Sequence, residues 1–370
     1  LNVSELQGRV SGMADSIRQR GPDDSGDWVD EKTGLALGFR RLATLDLSPA
    51  GHQPMLSVDG RYVIIFDGEI YNHAELGTQP GSSGQTNGGR SDAGVILAGF
   101  CRWGVIPALE HLNGMFAIAV WDRLEGHLLL VRDRMGIKPL YYGWCGGVFL
   151  FGSELKALRK HPAFDAQVDA DALALLLRYG YIPSPYTIYR GIRKLMPGTV
   201  MEIRPGEPVP ASQPQPFWSA RTAAVQGVLN PFAGSETDAI DELDALLRDS
   251  ISLRMQADVP VGAFLSGGID SSTIVAQMQA QSSRPVKTFS IGFSEAGFDE
   301  AAHARAVADH LHTEHSEWMV TANDALSVIP QLPEIYDEPF ADSSQIPTFL
   351  VSSLARRHVA VSLSGDGGDE

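Results

Sequence analysis

The stretch Ser266-Gly267-Gly268-Ile269-Asp270-Ser271-Ser272 constrains this chain most, because it sets a small, glycine-rich loop between an apolar run and a run of helix formers. Upstream, Val259-Pro260-Val261-Gly262-Ala263-Phe264-Leu265 has the make-up of a buried parallel strand, and downstream Ser271 to Ala280 predicts a helix. At such a turn, glycine lets backbone N–H groups approach an anion, the helix N-terminus adds partial positive charge, and serine hydroxyls add donors. The stretch therefore predicts a pyrophosphate cradle, with Asp270 placed to hold a magnesium ion. It lacks the lysine of the G-x-x-x-x-G-K-S/T loop of kinases and GTPases. A tight turn that merely needs glycine is the competing reading of the loop alone.

A length of 370 residues predicts about two domains. With 44% hydrophobic and 20% charged residues the composition is that of a globular protein, and no apolar run approaches the ~20 residues of a membrane helix. Asn2, Glu5, Arg9 and Asp15 break any secretory signal at the start, so a cytoplasmic location and no membrane partner are expected. A net charge of -16 with no basic stripe argues against a nucleic-acid surface. Cys101 and Cys145 are too few for a disulfide framework and lack metal-site spacing. The chain opens on Leu1 and stops at Glu370 directly after a glycine-rich acidic motif, and reads as a fragment.

Ser4-Glu5-Leu6-Gln7 fits a capping box, and Leu6, Val10, Met13 and Ile17 recur at helical spacing, predicting a helix that ends near Arg20-Gly21-Pro22. Leu35 to Phe39, Tyr62 to Phe66, Met115 to Trp121, Leu128 to Val131 and Val148 to Gly152 predict antiparallel strands, with helices over Asp92 to Arg102 and Ile106 to Leu112. Together they predict an α+β sandwich over residues 1–204, with Gly77 to Arg90 as a mobile surface loop. Residues 205–234 hold many prolines, glycines and alanines without a sustained period and are expected to link two domains. Over 235–370, Ile240, Leu243, Leu247 and Ile251 predict an amphipathic helix. Beyond the loop, strand patterns at Val286 to Phe293 and Val359 to Leu363 alternate with helical patterns at Glu300 to Leu311 and Thr348 to Arg357. That alternation predicts a doubly wound parallel sheet of the α/β class.

Three segments fall where strands of such a sheet would end: the Ser266 loop, Ser290-Ile291-Gly292-Phe293, and Ser364-Gly365-Asp366-Gly367-Gly368-Asp369-Glu370. Ligands bind at the carboxyl ends of strands in these sheets. Phosphate would lie on the first loop, a nucleoside against Phe264, Leu265 and Ile291, and Asp270 with Asp369 would share magnesium. The acidic tail taken alone is equally a solvated turn.

The Ser266 loop resembles the S-G-G-x-D-S signature of the ATP pyrophosphatases. Together with Tyr336-Asp-Glu-Pro-Phe-Ala-Asp-Ser-Ser344 and Ser364-Gly-Asp-Gly-Gly-Asp-Glu370 it resembles the synthetase half of glutamine-hydrolysing asparagine synthetases. Arg20-Gly-Pro-Asp-Asp-Ser-Gly26, Arg40-Arg41-Leu42, Ala50-Gly-His-Gln-Pro-Met55, Phe66-Asp-Gly-Glu-Ile-Tyr-Asn72, Arg132-Asp-Arg134 and Gly136-Ile-Lys-Pro-Leu-Tyr-Tyr142 resemble that family's class II, N-terminal-nucleophile glutaminase domain. The resemblance implies an αββα sandwich followed by an ATP-pyrophosphatase domain. It also implies ATP, magnesium, glutamine and a carboxylate acceptor, most simply aspartate, as cofactors and partners, and it allows a homodimer.

Carried over by position, Arg41 matches the arginine that grips the glutamine α-carboxylate, Asp92 the aspartate that holds the α-amino group, and Leu42, Gly68 and Glu69 line the same pocket. Read without the family, Arg41 is a surface ion pair and Asp92 a helix N-cap. Phe264, Leu265, Ser266, Gly267, Gly268, Asp270, Ser271, Ser272, Ile291, Ser364 and Gly365 match ATP contacts. Asp270 and Asp369 match magnesium ligands, and Asp366 falls where the family has an acidic residue tied to the acyl-adenylate step.

The chain departs from the family twice. The cysteine whose thiolate attacks the amide, with its own α-amino group as base, is not in the sequence, and Leu1 is expected to follow a missing first strand. Asp67 stands where the family has an oxyanion-hole asparagine, with Gly68 beside it in the same oxyanion region; an ionised carboxylate there repels the oxyanion, and loss of one donor costs about 10² to 10³ in rate. The expected function is ATP-dependent, glutamine-hydrolysing amide synthesis through an acyl-adenylate. A β-lactam synthetase-like cyclase, or a non-catalytic glutamine- or nucleotide-binding module, are the alternatives.

Overall fold

The computed structural model describes residues 2–78, 91–206, 213–293 and 301–368. The chain divides into one unit of Leu1–Pro231 with Asp337–Phe340, and a second of Phe232–Tyr336 with Ala341–Glu370.

In the first unit, helix α1 (Val3–Asp15) precedes β1 (Asp24–Asp30), β2 (Leu35–Arg41), β3 (Met55–Leu56), β4 (Tyr62–Ile70), α2 (His73–Thr78), α3 (Asp92–Trp103), α4 (Val105–His111), β5 (Gly114–Asp122) and β6 (His127–Arg132). It continues through β7 (Tyr141–Cys145), β8 (Val148–Gly152), α5 (Leu155–Arg159), α6 (Ala170–Tyr179), β9 (Ile192–Lys194), β10 (Thr199–Ile203), β11 (Gln215–Pro216) and α7 (Ala220–Leu229). An antiparallel sheet runs β11-β10-β6-β5-β4-β3, with the smaller sheets β1-β2 and β8-β7-β9 beside it. The two faces of β4 feed different cores. Tyr62, Ile64 and Phe66 pack with Ile96, Phe100 and Leu109 of α3 and α4. Val63, on the opposite face, packs with Trp121, Leu37, Leu140 and Tyr142. A third core joins β8 and β9 to α5 and α6, so the layers run helix, sheet, sheet, helix, as the sandwich reading expects.

Three local expectations change. The cap of α1 is Asn2, which accepts from Glu5 N (2.9 Å) while the Glu5 carboxylate accepts from Asn2 N (3.1 Å), so the capping box exists two residues earlier than Ser4-Glu5-Leu6-Gln7 suggests. The helix ends at Asp15, and irregular turns carry the chain to Gly21-Pro22. Residues 205–234 contain α7, whose Ser219 cap accepts from Thr222 N and whose Val225, Val228 and Leu229 are exposed; a helix with no buried face leaves no period to read. Of Gly77 to Arg90, residues 79–90 lie outside the described residues, and Gly77 belongs to α2.

The second unit contains α8 (Glu236–Arg254), β12 (Val261–Phe264), α9 (Ile269–Gln281), β13 (Lys287–Phe293), α10 (Ala301–Leu311), β14 (Glu314–Val320), α11 (Ala322–Val328), α12 (Leu332–Ile335), α13 (Gln345–Ala355) and β15 (Val361–Leu363). Its parallel sheet has the order β14-β13-β12-β15. β14 escapes the sequence reading because Glu314, His315, Ser316 and Glu317 look like a loop. α8 forms as its period predicts, yet only Ile251 is buried, while Ile240 and Leu243 are exposed.

Candidate functional site

In the first unit a cavity of about 710 Å³ is lined by β2, β4 and β8 and receives Arg41, Gly68, Glu69, Asp92, Arg20 and Lys138. Arg41 is 8% exposed, at the end of β2. It donates from Nη1 to the Ser48 carbonyl (2.9 Å) and from Nη2 to the Asp46 carbonyl, which leaves three of its five donors for a ligand. Gly51 makes room for it: a Cβ there would lie 2.1 Å from Arg41 Nη2. Leu42, beside it, is exposed.

The cavity edge of β4 is fixed at both ends. Phe66 N donates to Gln53 Oε1 (2.7 Å) and Phe66 O accepts from Gln53 Nε2 (3.3 Å), while Ile70 N donates to Asp92 Oδ2 (2.8 Å). Alternation along the strand puts the Gly68 N–H on that same edge, between the two occupied ones, so it opens to the cavity. Gly68 and Glu69 thus line the pocket through different groups, a backbone N–H and a carboxylate. Glu69 accepts from Thr44 Oγ1, and burial raises its pKa.

Asp92 is 6% exposed at the start of α3, where Ser91 is the true cap and accepts from Gly94 N; the N-cap reading of Asp92 is therefore wrong by one residue. Among the described residues its Oδ1 has no hydrogen-bond partner, and His73 Nδ1, which meets the Ile70 carbonyl (3.0 Å), stands 3.8 Å away. Burial pushes its pKa up to about 7, only partly offset by the Ile70 N–H. A buried, half-satisfied carboxylate beside a cavity suits a ligand ammonium, which would both bond it and restore its charge.

Asp67 is not the isolated carboxylate that the sequence suggests. Its Oδ2 accepts from Arg20 Nη2 (2.9 Å) and its Oδ1 pairs with Lys138 Nζ (3.1 Å). Burial opposes its charge, but Lys138 and Arg20 outweigh that and hold its pKa below the ordinary aspartate value. Arg20 also reaches Glu154 Oε1 (3.2 Å), Glu154 Oε2 pairs with Lys156 (2.9 Å), and Lys156 with Asp337 (3.6 Å). Glu338 accepts from Ile188 N (2.7 Å) and pairs with Lys194 (2.6 Å), which explains why Asp337–Phe340 groups with the first unit. Arg20 and Lys138 carry no role in the sequence analysis; a carboxylate at a half-buried strand position is the signal that cations must converge on it.

In the second unit the Ser266 loop follows β12 and opens α9, as its sequence predicts. Gly267 has φ +83, and a Cβ would lie 2.7 Å from Ala304 N, so the turn needs glycine for both conformation and space. Ser266 Oγ and Ser271 Oγ are 2.9 Å apart, and Gly268 N donates to Ser266 Oγ (3.3 Å). Gly268 caps α9 without a side-chain bond, leaving first-turn N–H groups for an anion. Ser272 Oγ is buried without a hydrogen-bond partner among the described residues.

The 364–368 segment meets this loop. β15 pairs with β12, and a Cβ on Gly365 would lie 2.8 Å from Ser271 N, one on Gly368 2.9 Å from Asp270 Cγ. Asp366 accepts from Ser364 Oγ (2.9 Å) and is exposed. Phe264 and Ile291 are half-buried, but Leu265 is 1% exposed in the core, so only its backbone can meet a nucleotide. Asp369 lies outside the described residues, and among those residues no cluster of three metal-ligating side chains occurs. Cys101 and Cys145 are free, and neither lines the cavity. No helix of the described residues is long and apolar enough to cross a membrane.

The family model for a glutamine amidotransferase domain matches residues 2–218, and that for asparagine synthase matches 242–370. A protein provisionally named asparagine synthetase (glutamine-hydrolyzing) in Mycobacterium tuberculosis is 39% identical, covering 96% of this chain and 55% of its own length. Asparagine synthetase (glutamine-hydrolyzing) 1 of Bacillus subtilis is 36% identical over 98% of this chain and 55% of its own, so this chain spans about half the length of these relatives. A provisionally named Methanocaldococcus jannaschii counterpart is 36% identical, with 99% and 72% covered. A solved glutamine phosphoribosylpyrophosphate amidotransferase of B. subtilis aligns at a TM-score of 0.41 and 15% identity over 84% of this chain and 63% of that one, too distant a likeness to inform the site. With both family models matched in order and these relatives aligned over nearly its whole length, the chain belongs to the glutamine-hydrolysing asparagine synthetase family.

Proposed function

We propose that this chain is the glutaminase and nucleotide-binding part of an ATP-dependent amidotransferase that makes asparagine from aspartate. Glutamine releases ammonia in the first unit, the second activates a carboxylate as an acyl-adenylate with loss of pyrophosphate, and ammonia displaces AMP to form the amide. The observation that carries the reading is the cavity in which the buried Arg41 guanidinium and the half-satisfied Asp92 carboxylate sit together, a complement to an α-amino acid. Such a pair is idle in a cyclase that needs no glutamine. Hydrolysis also needs a thiol nucleophile. Among the described residues β2 pairs only with β1 and β8 only with β7, and both line the cavity, so its walls suit one further strand bringing an N-terminal cysteine to Gly68.

In the second unit the Ser266 loop and first turn of α9 would hold pyrophosphate. Asp270, flanked by Gly368, would supply the hard oxygen that magnesium prefers, and Asp369, outside the described residues, would be its partner. The ion would neutralise charge on the departing pyrophosphate. Asp92→Asn tests the reading in the full-length chain. It should raise the KM for glutamine about 10²-fold, as loss of a buried charge pair does, while synthesis from ammonium stays unchanged. An unaltered KM would refute the assignment.

A further inference from the structure

We propose that Lys138, held by Asp67, is the charged donor that stabilises the oxyanion during glutamine hydrolysis, with Asp67 as its positioning residue. The inference rests on the glutaminase reading above and goes beyond it, because it assigns the role to a side chain 71 positions along the chain from the strand residue that the family pattern would nominate.

An ionised carboxylate accepts hydrogen bonds and donates none, so Asp67 cannot itself serve an oxyanion. Both of its oxygens are engaged, Oδ2 by Arg20 and Oδ1 by Lys138. The two cations differ. Arg20 is shared with Glu154, so its charge is opposed twice. Lys138 pairs with Asp67 alone among the described ion pairs, and one of three ammonium donors meets that carboxylate, leaving two for the cavity that it lines. Its main chain is pinned: Lys138 N donates to Asp133 Oδ2 (2.9 Å), Lys138 O accepts from Arg132 Nε (2.8 Å), and Asp133 is 1% exposed. A donor fixed before the reaction costs no reorganisation when charge develops. The Gly68 N–H, open on the same strand edge next to Asp67, is the neutral donor that completes the pair.

During hydrolysis the α-amino group of the N-terminal cysteine takes the thiol proton, and the thiolate forms a C–S bond with the amide carbon as the carbonyl π pair moves onto oxygen. Lys138 donates a hydrogen bond to that oxygen and keeps its proton. When the pair returns, the C–N bond breaks and ammonia leaves with a proton from the α-amino base. Water then cleaves the thioester to glutamate and restores the thiol.

A double-mutant cycle in the full-length chain tests this, with glutamate release and ammonium-dependent amide formation both measured. Lys138→Met keeps the stem and should lower kcat for glutamate release about 10² to 10³-fold with KM changed less than about threefold, the signature of an interaction made only in the transition state. Ammonium-dependent synthesis should stay within about twofold, which also reports that the variant is folded. In an Asp67→Asn background, where an amide donor faces the site, the same Lys138→Met change should cost less than about fivefold. Lys138→Arg, which keeps charge and donors, should retain at least about a tenth of kcat. Equal losses in both backgrounds, an unchanged kcat, or an effect wholly in KM would overturn the role of Lys138 while leaving the glutaminase reading intact. A wild type that releases no glutamate would overturn both.

Discussion

Around the cavity of the first unit, charges are opposed before any ligand arrives: Asp67 lies between Arg20 and Lys138, Arg41 is braced on two carbonyls, and Asp92 Oδ1 waits without a hydrogen-bond partner among the described residues. The loop that opens α9 in the second unit is made differently. Its donors are backbone N–H groups and the hydroxyls of Ser266 and Ser271, and Asp270 is its acidic side chain. The contrast follows from the ligands. An amino acid carries two opposite charges at fixed spacing and is met by side chains set in advance, whereas a polyphosphate is met by a concave run of amides and one cation.

Substitutions should therefore act differently in the two regions. Asp270→Ala removes the acidic group of the phosphate loop and should lower pyrophosphate release by about 10³-fold or more, with glutamine hydrolysis nearly unchanged. Pyrophosphate formed at the wild-type rate would break the comparison on the nucleotide side. Gly51→Ala probes the prearranged side, since its Cβ would crowd the Arg41 guanidinium at 2.1 Å. It should raise the KM for glutamine about tenfold, equivalent to about 1.4 kcal/mol, with kcat little altered. A change confined to kcat would show that Arg41 does not hold the substrate.

The most graded effect is a pH dependence. Because Asp92 has a pKa near 7 in the free site and must be ionised to bind an ammonium, the KM for glutamine should rise by up to about tenfold per unit as pH falls below 7. Asp92→Asn should abolish that slope. Stability runs the other way. The folded state holds the proton between the ordinary value of 3.8 and about 7, so Asp92 progressively destabilises the fold as pH rises through that window. The melting temperature of Asp92→Asn should therefore gain on wild type as pH is raised from acid to neutral.

How far the sequence reveals each region depends on how local its construction is. The Ser266 loop, its strand and its helix are contiguous, and their turn chemistry is readable residue by residue. β14 is not, because its polar residues form a strand only through pairing with β13. The pairing of Asp67 is further from view. Arg20 lies 47 positions away, and the cations meet only when turns after α1 and after β6 fold over β4. α7 gave no signal because it buries nothing.

The most direct test of the account follows the amide nitrogen itself. The full-length chain, supplied with magnesium, ATP, aspartate and glutamine labelled at the amide nitrogen, should yield labelled asparagine together with equimolar glutamate, AMP and pyrophosphate. Labelled ammonia with no asparagine, or ADP and phosphate in place of AMP and pyrophosphate, would contradict it.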